Sequence, residues 1–337
     1  MGVDPLTERM QTPPAGWDAE SNSLSDLMVT LDDKPIDKPA DWTPKRSALK
    51  TTWSFFFGRG PTHPPPLKLE VLELSRQVDH VRQLIRYQVE KGVFVRAYLL
   101  LPNNPHPKRL GVVDLHPTTD DTIRQEAGVV GEPEKQLGLR LVQRGYAVIC
   151  PENYLWIQGK PRLKESVDEL FAREPKWNGM AKMIWDGSRA IDVLIAGKHC
   201  DPERIGCIGH SLGAKEALYL AAFDHRIAAA ISSEGGIGLT FSNWHDRWYL
   251  GQRIQAEGFR RENHEVLALV APRPFLLLGG DGADGDKSWA FIERVLPVYR
   301  LLDAGDNVGM INHHRGHRFS PDMQRIAFDW LDRQLTK

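Results

Sequence analysis

The chain has 337 residues, 41% of them hydrophobic and 26% charged, with a formal net charge of −1 at pH 7. That length supports a substantial core, as one large α/β domain or two smaller ones. The near-neutral balance argues against a surface of clustered positive charge, so no nucleic-acid partner is expected.

No stretch approaches the roughly 18 uninterrupted apolar residues of a membrane span, and the N-terminus lacks the basic and apolar blocks of a signal peptide. The three cysteines, Cys150, Cys200 and Cys207, form no ligand pattern. Cys150 and Cys207, at or near strand ends, read as buried free thiols, which fits a reducing, cytoplasmic setting.

Residues 1–66 are rich in Pro, Asp and Ser, and this polarity predicts a poorly ordered N-terminal extension. Trp17, Trp42, Trp53 and the run "SFFFGRG" interrupt it; "WSFFFG" is suited to pack onto the domain or over a pocket, and an aromatic-rich arm could cover a neighbour in a homo-oligomer. From 77 to 101 the alternation predicts two antiparallel strands joined near Lys91-Gly92. From residue 110 strands alternate with helices: strand "LGVVDLH", helix "EKQLGLRLVQRG", strand "YAVICP" and helix "WNGMAKMIWDGSRAIDVLIAG". Strand "RIGCIGHS", helix "LGAKEALYLAAF" and strand "IAAAISSEGG" follow. Strand "RPFLLLGG", helix "SWAFIERVLPVYRLLD", strand "NVGMINHH" and helix "SPDMQRIAFDWLDRQL" close the chain. This order predicts a mostly parallel central sheet with helices on both faces and antiparallel strands at its N-terminal edge. One catalytic domain is expected over 67–337, with an insertion at about 235–265 placed to serve as a cap.

In an open parallel sheet, ligands sit beyond the carboxyl ends of the strands. Gly209-His210-Ser211-Leu212-Gly213 reads G-x-S-x-G, whose glycines permit a strand-to-helix turn that lifts the serine oxygen above the sheet. The last strand is followed by His313, His314 and His317, while other strand ends offer Glu234 and the group Asp281, Asp284 and Asp286. Serine, then acid, then histidine is the chain order of α/β-hydrolases. A serine alcohol needs a base to take its proton, and an acid must hold that base in the right tautomer. The backbone N–H of Leu212, at a helix start, is one expected oxyanion donor. Pro117 has no N–H, so Thr118 or Thr119 is expected to supply the other.

From about residue 67 onward the chain resembles the α/β-hydrolase superfamily through "GHSLG", "APRPFLLLGGDGAD" and the "GH" after the last strand. "LHPTT", "RGYAVICPENY", "WDGSRAIDVL" and "HEVLALVAPRPFLLLGG" are similar to its dienelactone-hydrolase and acetyl-xylan-esterase-like branch. The resemblance implies Ser211 as nucleophile and His317 as base. For the acid it leaves alternatives. The usual superfamily position follows "RPFLLLGG" and offers Asp284 or Asp281. Glucuronoyl esterases, which this chain resembles locally, carry a glutamate at the place of Glu234. They also carry a lysine at the place of Lys215, but an arginine where this chain has Leu212, so uronate recognition is not carried over. Glu234 is the expected acid and Asp284 its alternative.

Trp244 and Trp248 in the insertion, Trp156 after "PENYL", and Lys215 are candidate substrate contacts. Each also has a plain reading as core packing or, for Lys215, as a solvated helix-face lysine. His245-Asp246 and His264-Glu265 lack metal-ligand spacing, so neither a metal nor a cofactor is expected. The expected activity is a serine carboxylic ester hydrolase acting on a small-molecule ester. A peptidase or thioesterase with the same triad, or a catalytically silent binding module of this fold, are the alternatives.

Overall fold

The computed structural model describes residues 4–58, 63–157 and 159–337. Arg59 and Gly60, the end of "SFFFGRG", lie outside the described residues. Two helices come first, α1 (Pro5–Gln11) and α2 (Pro39–Phe57). The strands β1 (Glu70–Arg76), β2 (His80–Glu90), β3 (Val93–Pro102) and β4 (Gly111–Leu115) follow. Helices α3 (Thr122–Glu126) and α4 (Leu137–Gln143) lead to β5 (Ala147–Pro151) and a small hairpin, β6 (Trp156–Ile157) and β7 (Lys160–Pro161). Next are α5 (Leu163–Arg173), α6 (Gly179–Ala196), β8 (Ile205–His210), α7 (Leu212–Phe223) and β9 (Ile227–Ser233). The chain ends with α8 (Asn263–Val270), β10 (Phe275–Gly279), α9 (Trp289–Leu301), β11 (Val308–Asn312) and α10 (Pro321–Thr336).

Nine strands form one sheet in the order β1-β2-β3-β5-β4-β8-β9-β10-β11. The first three are antiparallel additions, joined through β3 and β5. The remaining pairs are parallel. This is the mostly parallel sheet, edged by antiparallel strands, that the alternation of elements predicts. The parallel strands are apolar throughout because both faces are covered. Val113, Leu277 and Phe275 face the layer of α2, α6, α7, α8 and α9, while Val112, Leu276 and Leu278 face α1, α3, α4 and α10. Strand β1, α1, α5 and the β6–β7 hairpin have no counterpart in the sequence reading. Among the described residues no helix is long and apolar enough to cross a membrane.

The expectation of a poorly ordered N-terminal extension is corrected. Helix α2 buries Trp42, Leu49, Trp53 and Phe57 in the same core as the sheet. Trp53 Nε1 donates to Glu265 Oε2 at 2.9 Å, and Arg46 donates to the Leu269 carbonyl at 3.0 Å, tying α2 to α8. Polarity misleads here because the four apolar residues fall on one helical face and carry the packing, while the polar ones face water. Cys150, Cys200 and Cys207 are free and buried.

Candidate active site

Ser211 stands between β8 and α7 with φ 57° and ψ −115°. A non-glycine residue held there costs about 1–3 kcal/mol and persists only where its surroundings impose it. Its amide donates to the Ser233 carbonyl at 2.9 Å, while its own carbonyl accepts from Ala214 N and Lys215 N in the first turn of α7. The glycines of the motif have specific reasons. A Cβ on Gly213 would run into the Leu115 carbonyl, and one on Gly209 would meet the Gly213 backbone and lie 2.8 Å from Ala214 N. The turn closes only with hydrogens at both positions.

His317 reaches this serine from the loop after β11. Its Nε2 lies 2.9 Å from Ser211 Oγ, and its Nδ1 lies 2.9 Å from Glu234 Oε2. Glu234 follows β9 directly, with φ 56°, and is fully buried. Burial pushes its carboxyl up, but hydrogen bonds from His317 and from the amides of Ala283 and Gly280 outweigh burial and hold it below its ordinary value. An ionised carboxylate accepts only, so Nδ1 carries the ring hydrogen and Nε2 is left to accept from the serine.

Asp284 goes elsewhere. It is buried and accepts from Gly236 N at 2.7 Å, Ile237 N at 2.8 Å and Ser288 Oγ at 2.8 Å, with burial raising its carboxyl. It braces the turn after Glu234 and the start of α9, and it makes no hydrogen bond to His317. Asp281 is exposed and bonds to Asn312 and His314. His313 bonds to the Arg318 carbonyl. Asp281, Asp286 and His314 are the described residues whose ligand atoms converge, within 4.8 Å, closely enough to hold a metal ion, and all three are exposed.

Ser211 and His317 open onto a cavity of about 660 Å³ shared with Thr118, Thr119, Gln125 and Glu126. Leu212 begins α7, so its amide belongs to the first turn, whose N–H groups have no intrahelical acceptor. The Thr118–Thr119 loop is held from behind. His116 is buried, accepts the Asn153 amide on Nε2 at 3.0 Å, and so donates from Nδ1 to the Pro117 carbonyl at 2.8 Å. Burial lowers the His116 ring to about 4, which keeps it neutral. Asn153 Nδ2 in turn donates to Glu216 at 2.8 Å, whose carboxyl burial raises to about 8.

None of the four candidate substrate contacts lines this cavity. Trp244 is fully buried with Nε1 donating to the Gly236 carbonyl at 2.8 Å, so the insertion folds onto its own tryptophan. Trp248 is half-buried and packs edge-on against Tyr249. Trp156 is buried edge-on against His116. Lys215 is not a solvated helix-face lysine: its Nζ donates to Ser242 Oγ at 2.6 Å and lies 4.1 Å from the Trp244 ring centre. Burial lowers that amine to about 7.

Several residues around the site escape sequence reasoning. A Cβ on Gly282 would press on Glu234 Oε2 and lie 2.8 Å from His317 Cβ, so the close approach of these two side chains depends on that glycine. His210 packs its ring 4.9 Å from that of His317. Burial, reinforced by His317, lowers His210 to about 4. In "GGDGADGD" nothing distinguishes Gly282 from its neighbours, and His210 lies inside the motif as a variable position.

A family model for fungal glucuronyl esterases matches residues 141–258. Among curated proteins, the putative hydrolase YtaP of Bacillus subtilis is 22% identical over 288 residues, 80% of this chain and 93% of that protein. A 4-O-methyl-glucuronoyl methylesterase of Phanerochaete carnosa is 22% identical over 57% of this chain and 55% of its own length. Among solved structures, a glucuronoyl esterase from Solibacter usitatus superposes with a TM-score of 0.76 at 19% identity, covering 93% of this chain and 98% of that one. A putative acetyl xylan esterase from Bacteroides fragilis gives 0.62 at 15% identity, over 82% and 76%. The chain thus has the α/β-hydrolase fold and resembles esterases of that fold, glucuronoyl esterases among them.

Proposed function

We propose that this chain, an esterase by its resemblance and fold, is a serine carboxylic ester hydrolase that turns over a small ester through an acyl-enzyme. The observation that carries this reading is the unbroken line of hydrogen bonds from Ser211 through His317 to Glu234, 2.9 Å at each step. Ser211 Oγ attacks the ester carbonyl as His317 Nε2 takes its proton, and the Glu234 carboxylate stabilises the imidazolium. The negative oxygen of the tetrahedral intermediate is received by the amide of Leu212 and by that of Thr118 or Thr119. Collapse breaks the bond to the alkoxy oxygen, which leaves as the alcohol with the proton from His317. Water then attacks the acyl-serine by the same route, releasing the acid and restoring the hydroxyl.

The uronate preference of the glucuronoyl esterases is not extended to this chain. Leu212 stands where those enzymes have arginine, and Lys215 is occupied by Ser242. A fluorophosphonate probe tests the nucleophile: wild type is expected to label and Ser211→Ala is not. An unlabelled wild type, or equal labelling of the variant, rejects the proposal. A panel of p-nitrophenyl esters, then acetylated and methyl-esterified carbohydrates, identifies the ester class.

A further inference from the structure

The His317 side chain is half exposed, on a loop where a Cβ added at Gly316 would meet nothing within 4 Å. Two hydrogen bonds fix its edges, Nδ1 to Glu234 and Nε2 to Ser211. A planar ring held at Nδ1 alone still pivots about that bond, so other contacts decide where Nε2 points. The bond to Ser211 is lost partway through an acyl-enzyme reaction. Once Ser211 Oγ carries the acyl group it has no hydrogen to donate, and His317 must meet the incoming water without that restraint.

His210 supplies a face contact that remains. Its ring centre lies 4.9 Å from that of His317, with the planes 42° apart. Phe319 stacks on the same His210 ring at 6.3 Å and 27°, so two residues of one loop lean on it. Phe319 is buried and packs edge-on against Phe328 of α10, which ties these rings to the core on that face of the sheet. His210 is itself fixed. It ends β8 opposite Ser233 of β9, and its Nδ1 lies 3.2 Å from Ser233 Oγ. Ser233 is fully buried, its carbonyl accepts the Ser211 amide, and Glu234 follows it in the chain. Burial, then the neighbouring His317, keeps His210 uncharged, so it does not repel the imidazolium that forms on the base.

We propose that His210 is a positioning residue for deacylation, holding the His317 ring aimed at the acyl-serine while Ser211 no longer can. In that step a water proton passes to His317 Nε2 as the water oxygen bonds to the acyl carbon. Collapse breaks the bond from that carbon to Ser211 Oγ, which takes the proton back from His317. During acylation the Ser211 hydroxyl provides the same restraint, so His210 matters less there. This role rests on the acyl-enzyme reading above.

Stopped-flow hydrolysis of p-nitrophenyl acetate tests it, because the good leaving group makes deacylation limit kcat while kcat/KM reports acylation. In His210→Ala kcat is expected to fall about 30-fold and KM with it, leaving kcat/KM within about threefold of wild type. A burst of about one p-nitrophenolate per enzyme should precede the slowed steady state. A fluorophosphonate, which reads the acylation step alone, is expected to label the variant at close to the wild-type rate, which also shows it is folded. His210→Asn keeps a polar partner for Ser233 but no aromatic face; it is expected to match alanine and serves where alanine disturbs the turn. His210→Phe keeps a ring without the bond to Ser233 and is expected to restore kcat to within about threefold of wild type. Equal falls of kcat and kcat/KM in both ring-less variants, an unchanged kcat, or a phenylalanine variant no better than alanine overturns the proposal. A wild type that neither labels nor hydrolyses an ester refutes the esterase reading and this role with it, whereas an active wild type beside burst-free variants refutes His210 alone.

Discussion

Replacing Glu234 by alanine separates the two carboxylates that follow β9 and β10. The truncation leaves His317 Nδ1 and Ala283 N without their acceptor, while Gly280 N keeps its bond to the Asp284 carbonyl at 3.1 Å. In the transition state the imidazolium and the carboxylate lie about 4 Å apart, centre to centre, and attract by about 4 kcal/mol at an effective dielectric of about 20. That alone corresponds to about 10³ in rate. The His317 side chain is 46% exposed, so solvent screens part of this. Loss of tautomer and ring orientation acts in the opposite direction. A fall in kcat of about 10³-fold is therefore expected for Glu234→Ala.

Asp284→Ala removes three hydrogen bonds from the turn at Gly236 and Ile237 and from Ser288, none of them to His317. It is expected to lower stability by about 3 kcal/mol, since each stranded buried donor costs about 1–3. Its kcat is expected to fall by less than about tenfold. Saturation kinetics on p-nitrophenyl acetate, with urea unfolding of each variant, measures both quantities. A larger loss of kcat in Asp284→Ala, or a Glu234→Ala enzyme within tenfold of wild type, refutes the assignment of the acid.

Gly282→Ala is expected to cut kcat by about 100-fold with KM nearly unchanged, because the added methyl separates Glu234 from His317. A variant with unaltered circular dichroism and full activity defeats this account. Lys215 gives a pH test. Its folded amine titrates at about 7 against an ordinary value of 10.5, so between these values the unfolded chain holds the extra proton. Stability should therefore rise with pH across that window, by up to about 1.4 kcal/mol per pH unit relative to Lys215→Met. Parallel urea curves at pH 7 and pH 9 measure the difference, and an identical pH response in both proteins contradicts a buried neutral amine.

The fold was legible wherever one local rule decided the element. Strands such as "FLLLGG" are apolar on both faces because both are covered, and the G-x-S-x-G turn announces its geometry through two glycines. Strand-end position likewise put Ser211, Glu234 and His317 on one rim, and the structure brings them within hydrogen-bond distance. What was not legible depends on partners distant in sequence. Lys215 reads as solvated until Ser242, Trp244 and Tyr249 fold over it. Helix α2 fails a polarity reading because its few large side chains, not its average, decide where it lies.

Trp53 and Phe57 of α2 rest on Tyr219, and Phe57 also on Phe223, two aromatic residues of α7. The helix that starts at the strained serine is thus backed, three turns further on, by a segment more than 150 residues earlier in the chain. Trimming the chain to its apparent catalytic domain at residue 67 would strip that backing and bare an aromatic floor. A fused partner or affinity handle therefore belongs before Pro39 or beyond the last helix, and a protease that nicks between residues 58 and 67 would report directly on how firmly α7 is seated.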